Sequence, residues 1–190
     1  MGRFLGVTGT PGTGKKTLAP QAARALGLPC IGLNDLLTST ELASASGVDP
    51  AAIRRRLTRV TRGRWVVYGH MLPDVLRGSD VDKVVVLRCE PGVLKRRLKE
   101  RRYSSEKIRI NLEAELIGLI HSECLRRFGS ERVAQLDSSS PSRQRSAASL
   151  AALLRSPASR GSRLDWLPRY YSAVKLRSLL SAASTESAFT

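Results

Sequence analysis

Residues 9–17, GTPGTGKKT, leave this chain less freedom than any other stretch. Gly9, four intervening residues, then Gly14 and Lys15 have the spacing of a phosphate-binding loop. RFLGVT before it reads as a short buried strand and LAPQAARALG after it as a helix, which is the context such a loop requires. Glycines let the backbone curl until successive N–H groups face phosphate oxygens, and the helix start adds the positive end of its dipole. A lysine at position 15 then reaches the phosphoryl group in transit.

The position after that lysine ordinarily carries a Ser or Thr whose hydroxyl binds magnesium. Here it is Lys16, with Thr17 one step later. An ammonium cannot ligate a metal, so three arrangements stay open. Thr17 reaches the metal through a shifted register, phosphates and water hold the metal, or Lys16 partly substitutes for its charge.

Further along, apolar runs alternate with helical patterns. LPCIGL follows Gly27 as a second strand, and NDLLTSTELASASGVDP reads as a mobile helical hairpin. Residues 51–62 form a helix, RWVVYGH and VDKVVVLRC two strands, and PGVLKRRLKERR a helix with Pro91 at its first position. A long helix is expected from Ser105 to about Arg127, then a last strand in RVAQLD at 132–137. Nearly all-apolar strands separated by helices predict an α/β fold, a parallel sheet of about five strands covered on both faces. In the first helix Leu18, Ala22, Ala25 and Leu26 are expected on the buried side, and in PGVLKRRLKERR the buried face is Val93, Leu94 and Leu98.

The sequence, 190 residues and 42% hydrophobic, suits one domain with a tail. After Asp137 the composition shifts: residues 138–190 hold fourteen serines, eight basic residues and two acidic ones. SSSPSRQRS reads as a linker, AASLAALL as a helix on the domain, and SAASTESAFT as disordered. No apolar run reaches the roughly 18 residues of a membrane span, so a cytoplasmic protein without a membrane partner is expected. Cys30, Cys89 and Cys124 are far apart and flanked by apolar residues, which suits reduced packing residues.

The loop, VVYGHMLPD after a strand, and VVVLRCEPGVLKRRLKERRYSSEKIRINLEAE together resemble the archaeal branch of the adenylate kinase isoenzyme 6 family over roughly residues 1–137. GTPGTGK, Gly69 with His70, and Arg101, Tyr103, Lys107, Asn111 and Glu113 stand at family spacing. The resemblance implies a small nucleoside monophosphate kinase with ATPase activity. It further implies help in maturing the small ribosomal subunit through a ribosomal protein of its platform, beside pre-ribosomal RNA.

By position, Gly12, Gly14, Lys15, Lys16 and Thr17 would line the ATP phosphates, and Arg101, in a short lid at about 100–110, would join Lys15 in catalysis. The acceptor-nucleotide region falls at about 28–52, where Asn34 and Asp35 fit either an acceptor contact or a helix N-cap. His70 fits a water-ordering or acceptor-phosphate role, or a structural one. The family has a carboxylate two residues before that histidine to help hold the water shell of Mg2+; here it is Tyr68. Both expected magnesium positions are therefore altered, leaving Thr17 as the candidate metal residue.

The formal net charge of +16 implies attraction to polyanions. Arginines at 54, 55, 56, 59, 62 and 64 exceed what two nucleotides need; they suit RNA contacts or merely reflect a basic proteome. In the extension, Trp166, Tyr170 and Tyr171 among Arg163, Arg169 and Lys175 fit stacking on RNA, docking on a protein, or packing back on the domain.

Overall fold

A computed structural model describes residues 4–37, 49–156 and 164–181. Five parallel strands form one sheet in the order β2-β3-β1-β4-β5. They are β1 (Phe4–Thr8), β2 (Cys30–Gly32), β3 (Trp65–Tyr68), β4 (Val81–Arg88) and β5 (Val133–Asp137). The central strand β1 is buried along its whole length, paired in register from Phe4 with Trp65 and from Leu5 with Lys83. Side chains alternate across the sheet. Phe4, Val84 and Val86 enter one apolar layer, with Ile53, Leu57 and Leu72. Leu5, Val7, Val85 and Leu87 enter the other. That double burial is why the strands read as apolar runs rather than as alternating ones.

Helix α1 (Lys15–Leu26) leaves the loop after β1 and buries Leu18, Ala19, Ala22 and Ala23. Ala25, expected on the same stripe, is exposed. Helix α2 (Pro50–Val60) starts at Asp49, whose carboxylate accepts from the N–H groups of Ala51 and Ala52 at 2.9 and 3.1 Å. A short α3 (Leu72–Val75) follows β3. Helix α4 (Pro91–Glu100) has Pro91 at its first position and Glu90 as N-cap; Leu94 and Leu98 are buried and Val93 half-buried. A four-residue turn leads into α5 (Ser105–Ile117), and α6 (Leu119–Phe128) follows.

The single helix expected over 105–127 is thus two. Gly118, at φ 68°, breaks it, and a Cβ there would lie 3.1 Å from Nη1 of the buried Arg88. The break gives that guanidinium its place.

SSSPSRQRS is only partly a linker, because α7 (Arg143–Arg155) begins inside it, capped by Ser142. Ala147, Leu150, Ala151 and Leu154 of α7 pack with Leu18, Ala19, Ala22 and Ala23 of α1 in one apolar layer. Small residues on both helices allow that close approach. Beyond it, α8 (Leu167–Tyr170) and α9 (Ala173–Ser181) lie against α4 and α5: Leu179 is buried with Leu94, Leu98, Ile108 and Leu112. Lys95 Nζ donates to the carbonyl of Leu179 at 2.5 Å, a cation at the carboxyl end of a helix where the dipole favours it. Of the three alternatives for the aromatic segment, packing on the domain is what the structure has: Trp166 is 3% exposed and Tyr170 donates to Glu90, while Tyr171 stays exposed.

The expected hairpin at 33–50 begins as a 3-10 turn, Leu33–Leu36; residues 38–48 lie outside the described residues, as does 182–190 of the terminal segment. Four arginines of the basic run have partners on the protein. Arg54 grips Asp80 with two bonds of 2.9 and 2.8 Å, Arg56 donates to the Leu36 carbonyl, and Arg64 and Arg55 pair with Asp82 and Asp49. Cys89 and Cys124 are buried and Cys30 half-buried, all as free thiols.

Candidate functional site

The loop between β1 and α1 adopts the conformation its glycines permit. Gly9, Gly12 and Gly14 have φ of 138°, 95° and 97°, a region that side-chain-bearing residues avoid. A Cβ on Gly12 would also sit 2.7 Å from Leu94 Cδ1 and 3.0 Å from Leu98 Cδ2, so the loop rests directly on α4. Gly14 caps α1, whose first turn carries no acidic residue and has no side-chain cap, so the helix start is open to an anion. Lys15 folds back over the loop and donates to the carbonyls of Gly9 and Thr10 at 2.5 and 3.0 Å. Burial holds its ammonium down to about 7; Glu115 opposes that shift and Arg101 adds to it. An arriving polyanion would favour the charged form.

Behind the loop lies a carboxylate that the sequence did not advertise. Glu115, 1% exposed on α5, accepts from Thr10 Oγ1 at 2.6 Å, from Arg88 Nε at 2.7 Å, from the Cys89 N–H at 3.0 Å and from Trp166 Nε1 at 3.3 Å. Arg88 also donates to Gln135, to the Glu115 carbonyl and to the Leu164 carbonyl. One ion pair therefore ties the phosphate loop, β4 and β5, helix α5 and the C-terminal segment together.

Two clefts open on either side of the loop. One, of about 250 Å³, is lined by Lys15 and Lys16, by Asn34 and Asp35 from the turn after β2, by His70 after β3, and by Arg101. The other, about 670 Å³ and within the range of small-molecule sites, is lined by Thr17, Val93, Arg97, Ser139 and Arg143. Gly12, Gly14 and Arg101 border both. Arg101 is exposed and terminates α4, so its guanidinium stands where the two clefts meet. Asp35 Oδ2 accepts from the Gly32 N–H at 3.0 Å, a capping contact made while the residue lines the cleft. His70 is held below its usual value by burial and by Lys15, which outweigh Asp74, and is neutral at pH 7.

The oxygen donors beside the loop do not fit a magnesium ion. Thr17 lines one cleft and Lys16 the other. The Tyr68 hydroxyl is pushed up by burial and by Asp35, so it stays protonated. Glu115 is engaged by four donors. Among the described residues no three His, Cys, Asp or Glu side chains gather as a metal site.

A glycine loop at a helix start, a half-buried lysine folded over it and two clefts sharing an arginine, on a parallel sheet ordered 2-3-1-4-5, define a P-loop kinase. The family described as an AAA domain matches residues 5–118, and the chain belongs to it. Relatives bearing the name "Putative adenylate kinase" include one from Thermococcus kodakarensis, 34% identical over 70% of this chain and 75% of its own. Another, from Thermococcus onnurineus, is 32% identical over 90% and 96%. Among solved structures, a gluconokinase from Sinorhizobium meliloti aligns with a TM-score of 0.60 and 25% identity over 80% of this chain and 91% of its own. A shikimate kinase from Bacteroides thetaiotaomicron aligns with a TM-score of 0.51 and 22% identity, over 81% and 96%, a likeness of fold.

The structure brings Gly12, Gly14, Lys15, Lys16, Asn34, Asp35, His70 and Arg101 to one cleft and sets Thr17 in the other. Sequence reasoning missed Thr10, Arg88 and Glu115, and had Trp166 only as an aromatic that packs on the domain, not as a partner of Glu115. Only Glu115 left a trace there, as a charge on the apolar face that Leu112, Leu116 and Ile108 define. It also missed Arg97, Ser139 and Arg143 in the second cleft, which lie at the foot of α4 and in the serine-rich stretch.

Proposed function

We propose that the protein is a nucleoside monophosphate kinase of adenylate kinase type, converting ATP and AMP to two ADP. The observation that carries this reading is the pair of clefts meeting at Gly12 and Arg101. One is large enough for a donor nucleoside and the other opens at the loop beside the β2 and β3 ends. In the proposed reaction an acceptor phosphate oxygen attacks the γ-phosphorus, a new P–O bond forms, and the bond to the β-γ bridging oxygen breaks as ADP leaves. Catalysis of this kind is positioning and charge stabilisation. The loop N–H groups and Lys15 hold the transferring group, and Arg101, carried by the turn between α4 and α5, neutralises charge between the two substrates. His70, neutral, supplies a hydrogen bond on the acceptor side, and Asn34 and Asp35 face the acceptor. ATP hydrolysis follows when water takes the acceptor's place. The test is steady-state transfer from ATP to a panel of nucleoside monophosphates, with shikimate and gluconate as controls. Transfer to AMP above the others supports the reading, and transfer only to a non-nucleotide acceptor overturns it.

A second reading, favoured by the charge of +16, is that nucleotide turnover in the cytoplasm drives placement or release of a small-subunit platform ribosomal protein, beside pre-ribosomal RNA. Capture of such proteins that changes between ATP and ADP supports it; capture insensitive to nucleotide does not.

A further inference from the structure

We propose that Lys16 takes the electrostatic place of a divalent cation, so that the site binds a nucleoside polyphosphate as its metal-free anion. The proposal rests on the nucleotide-binding reading above. Its first support is helix geometry. α1 winds regularly from its Gly14 cap, the Thr17 N–H donating to the Gly14 carbonyl at 3.0 Å and the Leu18 N–H to the same oxygen at 2.9 Å. No extra residue is accommodated, so Thr17 does not slide back to the hydroxyl's position; its side chain lines the larger cleft while Lys16 lines the smaller.

The second support is the inventory of charge around Lys16. Its side chain is exposed at the mouth of the cleft, on the helix turn that presents free N–H groups. Lys15 and Arg101 stand in the same lining. The one carboxylate there, Asp35, already holds the Gly32 N–H, and Tyr68 is a neutral phenol. A divalent cation entering would meet the fixed charges of Lys16 and Arg101, with the titratable Lys15 beside them, and find one carboxylate. A polyphosphate would meet charges already in position, on a stem long enough to span the gap that a hydroxyl and a metal fill in other P-loops.

The experiment is calorimetric titration of the full chain with ATP in excess Mg2+ and again in EDTA, for the wild type, Lys16→Met and Lys16→Thr. Wild-type Kd values should agree within about threefold between the two conditions, and Lys16→Met should bind ATP in EDTA roughly tenfold or more weakly, 1.4 kcal/mol. Lys16→Thr should be equally weakened in EDTA and recover with Mg2+. Wild-type binding that collapses tenfold in EDTA overturns the proposal, as does Lys16→Met binding like the wild type there. Wild type that binds no ATP in either condition overturns the nucleotide-binding reading as well, whereas collapse in EDTA alone leaves that reading standing. The wild-type comparison involves no variant, and Lys16 is exposed, so thermal melts of both variants should match the wild type.

Discussion

Glu115→Gln is the substitution whose cost follows most directly from the structure. Gln keeps the shape and can still accept from Arg88 Nε and from the Cys89 N–H, and the Thr10 hydroxyl can reverse its role. Only the charge is lost. Both members of the Arg88–Glu115 pair are essentially out of water, their side chains 4% and 1% exposed, with 2.7 Å between Nε and Oε1. Removing one partner strands the other, a change that costs about 3–5 kcal/mol at buried pairs. Against a total stability of about 5–15 kcal/mol that is a large fraction. For a chain of this length it lowers Tm by about 6–20 °C, at roughly 2–4 °C per kcal/mol. Urea unfolding followed by tryptophan fluorescence measures it, Trp166 being in the network. Arg88→Met combined with Glu115→Gln removes both charges and should cost less than the sum of the single changes, because neither variant charge is left alone. A loss below about 1 kcal/mol for Glu115→Gln, or strict additivity in the double variant, would refute the claim that this pair anchors the loop.

Other perturbations probe the loop itself. Gly12→Ala forces a left-handed φ and drives a methyl into Leu94 and Leu98; about 1–3 kcal/mol of stability should go, and ATP affinity with it, by calorimetry. Thr8 Oγ1, buried at the end of β1 with no hydrogen-bond partner among the described residues, should make Thr8→Val stabilising by about 1 kcal/mol in urea unfolding. Lys15 stands at about 7 in the free fold against 10.5 when exposed, so the unfolded chain binds the extra proton between those values and this group makes stability rise with pH from about 7 to 10.5. Binding ATP at pH 8 should then take up close to one proton at Lys15, seen as buffer-dependent binding enthalpy, and affinity should fall as pH rises above 7.

What was legible in the sequence was whatever local chemistry decides. The loop glycines, Asp49 and Pro50 at the start of α2, and Glu90 and Pro91 at the start of α4 act within a few residues, so their pattern is sufficient. The break at Gly118 was hidden because apolar spacing runs through it; the reason for the break is the Arg88 side chain from a strand thirty residues earlier. The serine-rich stretch misled for a related reason. Serine, alanine and arginine together have the composition of a linker, yet alanine is the residue that lets α7 lie close on α1, and α1 supplies the complementary alanines. The clefts were half visible. Residues of the smaller cleft are near motifs, whereas Arg97, Ser139 and Arg143 converge only through the sheet order.

The C-terminal segment changes how the site itself is understood. A lid closing over nucleotides needs a hinge that moves and a base that does not. The turn carrying Arg101 is four residues between α4 and α5, and Arg102 within it has a φ of 56° that few side chains adopt. The 164–181 segment braces α4, by Tyr170 on Glu90 at its start and by Leu179 against Leu94 and Leu98 along its length. Trp166 meanwhile holds the carboxylate that positions Thr10 in the loop. The phosphate loop and α4 thus share one support from outside the region of strongest family resemblance. On the proposed kinase reading, Arg101 is the group that would turn toward the nucleotides, and the bracing of α4 would let it do so without disturbing the phosphate cradle.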